Sequence, residues 1–449
     1  MGSYTFTKGK DIKLKGAAGD EVSDVLSPRI VAIQPPDFRG LKPRLAVAEG
    51  DSVKMGTPVI TDKEIDGLCL VSPVSGKVKA INRGLKRALL SVVIENDGKN
   101  TAESFPSHAP DKLAKLKKAE TIQALLKAGL WPAFRQRPFS KIASPKDEPK
   151  SIFVHAVNTE PLAADMAKIL DGKEKFFQAG LDVLTGLTAG KVHVCAKSGA
   201  KPEILTNAKG VECHTFSGPH PAGNVSTLIQ AVDPINKGDI VWYVEAQEVA
   251  RIGRFFLEGT YPQQVVVALT GEGCAKTGYA RTVQGAAIKE LLPGTQFEGK
   301  RCITGSVLAG REIGADGFIG FYDTQISVVP EGGHRELLGW LMPGAKKYTL
   351  SHTYLSAFLP EQEASLDTDE NGGHRAIVLN DTYDKYTTLD IVTYFLLKAV
   401  IAGDIDEAER LGILECDAED FALCSFACPS KVNVGAIIRR GLDVIEKEG

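Results

Sequence analysis

The chain has 449 residues, with 53 lysines and arginines against 56 acids and a formal net charge of −3. That length exceeds what a single hydrophobic core accommodates and implies about three domains, with room for a fourth small one. The balanced charge offers no basic field for nucleic acid and no acidic tail, which excludes nucleic acid as a partner.

The first residues lack a basic stretch followed by an apolar run, so no signal peptide is expected. The most apolar helical stretch, Leu389 to Ala402, carries Asp390 and Lys398 and falls short of the ~20 apolar residues of a bilayer span. Eight cysteines (Cys69, Cys195, Cys213, Cys274, Cys302, Cys416, Cys424, Cys428) show no disulfide-framework spacing, which suits a reducing cytoplasm.

Residues 1–104 are read as an N-terminal segment and a barrel-sandwich domain. Period-two alternation from Arg44 to Ile60 and from Leu70 to Ile81, broken by Glu49-Gly-Asp51, Met55-Gly-Thr-Pro58 and Ser75-Gly76, predicts short strands and tight turns. The spacing resembles lipoyl and biotinyl carrier domains. Thr61-Asp62-Lys63-Glu64 falls where carriers hold their modified lysine, but the connection from Lys63 to Pro73 is longer than such carriers use. A solvated turn is the simpler reading of Lys63.

Residues 105–150 read as a linker helix followed by a loop, Leu125 to Lys141, rich in aromatics, arginines and prolines. Prolines remove backbone donors, so Trp131-Pro132 makes a poor phosphate cradle. Either the aromatics pin a linker onto the next domain, or the loop holds a flat, partly apolar ligand.

Residues 151–260 alternate strand and helix: strands at 151–157, 192–195, 211–215 and 240–244, and helices from Pro161 to Leu170, from Glu174 to Leu187, and beginning near Val225 and Glu245. This predicts a Rossmann-like parallel sheet with ligands at the carboxyl ends of its strands. No strand leads into G-x-G-x-x-G, and Glu160, in the first turn, would repel a pyrophosphate, so no dinucleotide is expected. His220, between prolines in Ser217 to Gly223, is read as structural rather than ligand-binding.

Residues 261–330 read as a small β-grasp (SLBB-like) α+β unit, with a strand at 264–270, a helix over 285–292 and strands around Cys302 and Phe318. Gly271 to Gly278 lacks P-loop spacing, which excludes nucleotide hydrolysis. Residues 331–449 turn helical, at 337–341, 389–402, 405–411, 418–424 and 434–447. Cys416, Cys424 and Cys428 are too few and wrongly spaced for an ordinary four-thiolate cluster and read as buried thiols.

This order of modules resembles the family that contains the flavoprotein subunit of respiratory complex I and the C subunit of the Rnf complex. Within it, the chain is similar to the A-subunit family of the sodium-translocating NADH:quinone reductase. The blocks that carry the resemblance are Lys8–Ile12, Arg83–Arg87 with Ser91–Ile94, Arg137–Lys141, Ser151–Val154, Phe216–Gly223 and Leu423–Pro429. Flavin-binding relatives hold FMN with a glycine-rich run resembling GLGGAGFPT, where this chain has Gly129-Leu-Trp-Pro-Ala-Phe134.

The resemblance implies a scaffold without a cofactor of its own, with FMN, FAD, riboflavin and iron–sulfur centres in other subunits. It implies a peripheral position on the cytoplasmic side of the bacterial inner membrane, membrane-embedded partner subunits that move Na⁺, and ubiquinone or menaquinone as the small-molecule partner. The complex, rather than the isolated chain, would be the enzyme. Aromatic walls and arginine donors suit a quinone ring and its carbonyls, so Trp131, Phe134, Arg135, Arg137, Phe139 and Lys141 are the candidate quinone-binding residues. An assembly adaptor without a quinone site and a lipoyl- or biotin-like carrier are the rival readings.

Overall fold

Period-two alternation in residues 30–96 closes two small antiparallel sheets, as expected of a barrel-sandwich. In this computed structural model, which describes residues 2–333, 336–378 and 381–448, one sheet orders Ile30–Ile33, Leu89–Asn96, Gly76–Arg83 and Ser52–Val53. The other orders Pro43–Leu45, Pro58–Asp62 and Cys69–Val71. Inward residues such as Val53, Val59, Leu70, Val78 and Val92 are buried between them. Position 76 admits only glycine, because a Cβ there would lie 1.9 Å from the Glu95 carbonyl oxygen. Lys63 is exposed on a turn whose shape is set by Asp62, which accepts hydrogen bonds from the Glu64 and Ile65 amides at 2.7 Å.

The α/β unit is a seven-stranded sheet in the order Gly2–Thr5, Glu212–Ser217, Lys191–Lys197, Ser151–Ala156, Val241–Glu245, Arg135–Arg137, Lys141–Ile142. The first five strands run parallel, and the last two are antiparallel additions. The expected parallel sheet is therefore mixed. The stretch expected as a linker and loop folds as a helix, Lys118–Lys127, a 3₁₀ turn, Trp131–Ala133, and an edge hairpin. Its reversal puts Phe139 and Ser140 at positive φ, 80° and 53°.

Helices Glu174–Thr185 and Ala246–Glu258 pack against each other through Gly180 and Gly253. A Cβ would fall 2.0 Å from the Val249 oxygen at Gly180 and 1.9 Å from the Phe176 oxygen at Gly253, so larger residues would force these helices apart. The helix expected from Pro161 shrinks to Met166–Ile169, capped by Asp165.

A six-stranded mixed sheet orders Arg311–Ile313, Lys300–Thr304, Gln325–Pro330, Gln264–Thr270, Gly278–Val283 and Val22–Asp24. Here two expectations fail. Phe318 makes only an isolated bridge to Ala287, and the helix over 285–292 reduces to one turn, Ile288–Leu291, because Gly285 sits at positive φ against the Ala32 backbone. Residues 2–24, grouped on sequence with the barrel-sandwich, instead supply edge strands to the other two sheets.

The helical end packs Thr393–Ala402, Ala422–Ala427 and Val434–Glu448 around Leu396, Phe421, Cys424, Ile438 and Leu442. Residues 337–341 form only a 3₁₀ turn at Gly339–Leu341. Among the described residues no helix is long and apolar enough to cross a membrane.

Candidate functional site

The strands Glu212–Ser217, Lys191–Lys197, Ser151–Ala156 and Val241–Glu245 follow one another in space as third, second, first and fourth in sequence. Such an order opens a crevice outside the carboxyl ends of the first and fourth strands. There the structure has a cavity of about 390 Å³. Its floor is His155 and Glu245, register partners at the ends of those strands. Its other walls are Glu160, in the loop that follows the first strand, and Asp37, Thr304, Ser306, Arg311, Asp323 and Gln325 from distant segments.

His155 Nδ1 lies 2.7 Å from Glu245 Oε2 and Nε2 lies 2.8 Å from the Gly223 carbonyl oxygen. Both partners are acceptors, so both ring nitrogens carry hydrogen and the ring is an imidazolium. Burial works against that charge, but Glu245 outweighs it and raises the His155 pKa to about 9. Arg135 Nη2 donates to the other oxygen, Glu245 Oε1, at 2.7 Å. Its guanidinium sits over the Tyr243 and Tyr322 rings, 4.5 and 4.3 Å from their centroids.

The remaining acids lack enough positive partners. Burial raises Asp37 to about 6 despite Arg311 at 2.8 Å and the Phe321 amide at 2.9 Å. Burial likewise raises Glu160, held at 2.6 Å by the Ser306 hydroxyl, and Asp323, held at 2.6 Å by the Thr304 hydroxyl. Two cavity residues keep an unpartnered buried atom, the donor Arg135 Nε and the acceptor Gln325 Oε1. Asp37 and Phe321 also border a narrow apolar crevice of about 30 Å³, lined by Ile33, Phe38, Leu70, Val71 and Ile319.

The six residues singled out on sequence do not form one wall. Trp131 and Phe134 are fully buried, packed edge-on and tilted against Trp242 at 5.4 and 6.1 Å between centroids, and Trp131 Nε1 donates to the Ala143 oxygen at 2.7 Å. Arg137 is buried against Asp417 and Glu419, both at 2.6 Å. Its Nη1 meets Asp417 as an ion pair without hydrogen-bond alignment. Half-buried Phe139 packs on the helical core, and Lys141 pairs with Glu446 at 2.9 Å. Of the six, Arg135 alone lines the cavity.

His155 and Glu245 were not singled out, although strand ends at a change of order are where ligands belong. Asp37, Thr304, Arg311 and Asp323 carried no local signal, since they reach the cavity from other units. His220 is buried, its amide donating to Asp11 at 2.9 Å. The helical-end cysteines bond locally: Cys416 Sγ lies 3.4 Å from the Gly412 oxygen and Cys424 Sγ 3.5 Å from the Tyr383 oxygen. Cys428 Sγ lies 3.1 Å from the Tyr383 hydroxyl.

Fold and site together define a multidomain scaffold in which a barrel-sandwich, an α/β sheet and a second mixed sheet surround one acid-rich cavity. Its parts match family models described as the NqrA N-terminal barrel-sandwich hybrid domain over residues 4–97, the NqrA second alpha/beta domain over 116–261 and the NQRA C-terminal domain over 266–314. It is 42% identical over 446 residues to the A-subunit of the Na(+)-translocating NADH-quinone reductase of Klebsiella pneumoniae, covering 99% of both chains. The corresponding protein of Neisseria meningitidis is 42% identical over 444 residues and that of Yersinia pestis 41%, each match covering 98% of this chain and 99% of the relative. The chain belongs to the A-subunit (NqrA) family of the Na⁺-translocating NADH-quinone reductases.

Proposed function

We propose that this chain is the peripheral, flavin-free subunit of a sodium-translocating NADH:quinone reductase, lies on the cytoplasmic side of the membrane, and contributes to quinone binding. The observation that carries the quinone reading is the cavity, where an orphan donor, Arg135 Nε, and an orphan acceptor, Gln325 Oε1, share one polar chamber beside aromatic walls. A quinone carbonyl accepts from such a donor, and a quinol hydroxyl donates to such an acceptor. Reduction consumes protons, and His155, Asp37 and Glu160 are protonatable groups within the same walls. The apolar crevice bordered by Phe321 gives an isoprenoid tail its approach once Phe38 and Phe321 part.

The acids of the cavity support the flavin-free reading, because Glu160 and Glu245 oppose a phosphate group at the start of helix Val225–Val232. The buried, locally bonded thiols support the absence of a cluster. The α/β order and the mixed sheet agree with a Rossmann-like and a β-grasp lineage, shared with the flavoprotein subunit of complex I and the C subunit of Rnf.

A photoreactive quinone is expected to label segments 30–38 or 318–325 of the chain within the assembled complex. Arg135→Gln should reduce that labelling roughly tenfold, for a loss of ~1.4 kcal/mol. Labelling confined to the membrane subunits and indifferent to the substitution would sink the quinone reading.

A second reading, the assembly adaptor, is favoured by the apolar surface of residues 337–359. Leu337, Trp340 and Phe358 are 92%, 71% and 82% exposed. A carrier role rests only on Lys63, and the intact mass of the native chain is expected to show no lipoyl or biotinyl addition.

A further inference from the structure

At the amino-terminal ends of the parallel strands, opposite the cavity, His193, Glu212 and His214 share one face of the sheet. His193 and Glu212 are register partners, and His214 follows two residues after Glu212, so period-two geometry turns all three the same way. Three atoms converge: His193 Nδ1 to His214 Nε2 is 3.0 Å, His193 Nδ1 to Glu212 Oε2 is 3.6 Å and His214 Nε2 to Glu212 Oε2 is 3.8 Å. The equidistant point in the plane of three atoms so spaced lies about 2.0 Å from each, the length of a zinc–imidazole bond.

Two imidazoles and one carboxylate form the donor set of open, three-ligand zinc sites, with a fourth position for water. The surroundings suit that use. Both histidines are buried, so their facing ring nitrogens are held out of bulk solvent. The Phe153 ring packs against His193 with centroids 4.9 Å apart. Lys191 takes Glu212 Oε1 at 2.6 Å, which orients the carboxylate and leaves Oε2 facing the histidines. In the metal-free chain one of the two facing ring nitrogens carries the hydrogen of their 3.0 Å contact, and the cation would take that hydrogen's place.

We propose that His193, Glu212 and His214 bind a divalent transition-metal cation of the zinc class. Strand Gly2–Thr5 pairs directly with the His214 strand, with Gly2 opposite His214. The metal would fasten two interior strands beside this edge, away from the cavity.

The test uses the full, tag-free chain, stripped with a chelator and titrated with Zn²⁺ against a competing chromophoric chelator. One equivalent is expected to bind with micromolar or tighter affinity, and Co²⁺ in its place should show visible d–d bands without thiolate charge-transfer absorption. Glu212→Gln, at a side chain 42% exposed, should keep the metal-free melting temperature and weaken Zn²⁺ binding by at least tenfold. His193→Gln combined with His214→Gln should abolish it. Binding weaker than about 100 µM, unchanged affinity in Glu212→Gln, or thiolate bands with Co²⁺ would each overturn the proposal and leave a hydrogen-bonded histidine pair.

Discussion

Replacing Arg137 by alanine is expected to destabilise the chain by about 3 kcal/mol and to loosen the helical end from the α/β sheet. Arg137 extends from the edge hairpin of the sheet, and its guanidinium lies between Asp417 and Glu419 of the helical end, fully buried. Breaking a buried ion pair by removing one partner costs about 3–5 kcal/mol, mostly because the other charge is left desolvated. The lower figure applies here, since Arg439 also contacts Asp417 and Glu419 is partly exposed. Because so large a chain need not unfold in one step, the measurement is hydrogen exchange across 382–448 together with urea unfolding. Protection in that segment should fall while the barrel-sandwich keeps its own. A uniform change below about 1 kcal/mol would show that Arg137 is not the fastener.

Raising the pH is expected to remove stability through His155. Its folded pKa, about 9, lies above the unfolded value of 6.5, so its contribution is complete below the unfolded value and disappears as pH rises through about 9. Glu245 has the opposite sign: His155 and Arg135 lower its pKa against burial, so its contribution holds above the unfolded value and is lost as pH falls. Between pH 6.5 and 9.5 the wild-type chain should lose about 2–3 kcal/mol relative to His155→Gln. Parallel stability profiles for the two proteins over that window would mean that His155 is neutral in the folded state. Ring-proton chemical shifts of His155 followed over the same range give a second reading of its charge.

The α/β alternation was plain in the sequence because short runs rich in β-branched and aromatic residues, such as Ile152-Phe-Val154, recur between longer helical stretches, as in strands covered on both faces. The barrel-sandwich was equally plain, since glycine turns such as Ser75-Gly76 recur between alternating strands. The role of Trp131 and Phe134 was not, because an aromatic wall around a ligand and an aromatic core have the same composition. What separates them is the strand order, which sets Trp242 beside both rings. The cavity was half legible. Its floor follows from the strand ends at His155 and Glu245, whereas Asp37 and Asp323 belong to it only through how separate units meet.

The strands Gly2–Thr5 and Val22–Asp24 have a consequence for biosynthesis. Their pairing partners are Glu212–Ser217 and Gly278–Val283, so residues 2–5 find their place only after residue 217 has left the ribosome and residues 22–24 only after residue 283. Until then the amino-terminal stretch lies outside any finished sheet, while the barrel-sandwich of residues 30–96 can already close. A nascent chain halted before residue 212 should therefore expose residues 2–24 to protease, and the emergence of residues 212–283 is what completes both sheet edges.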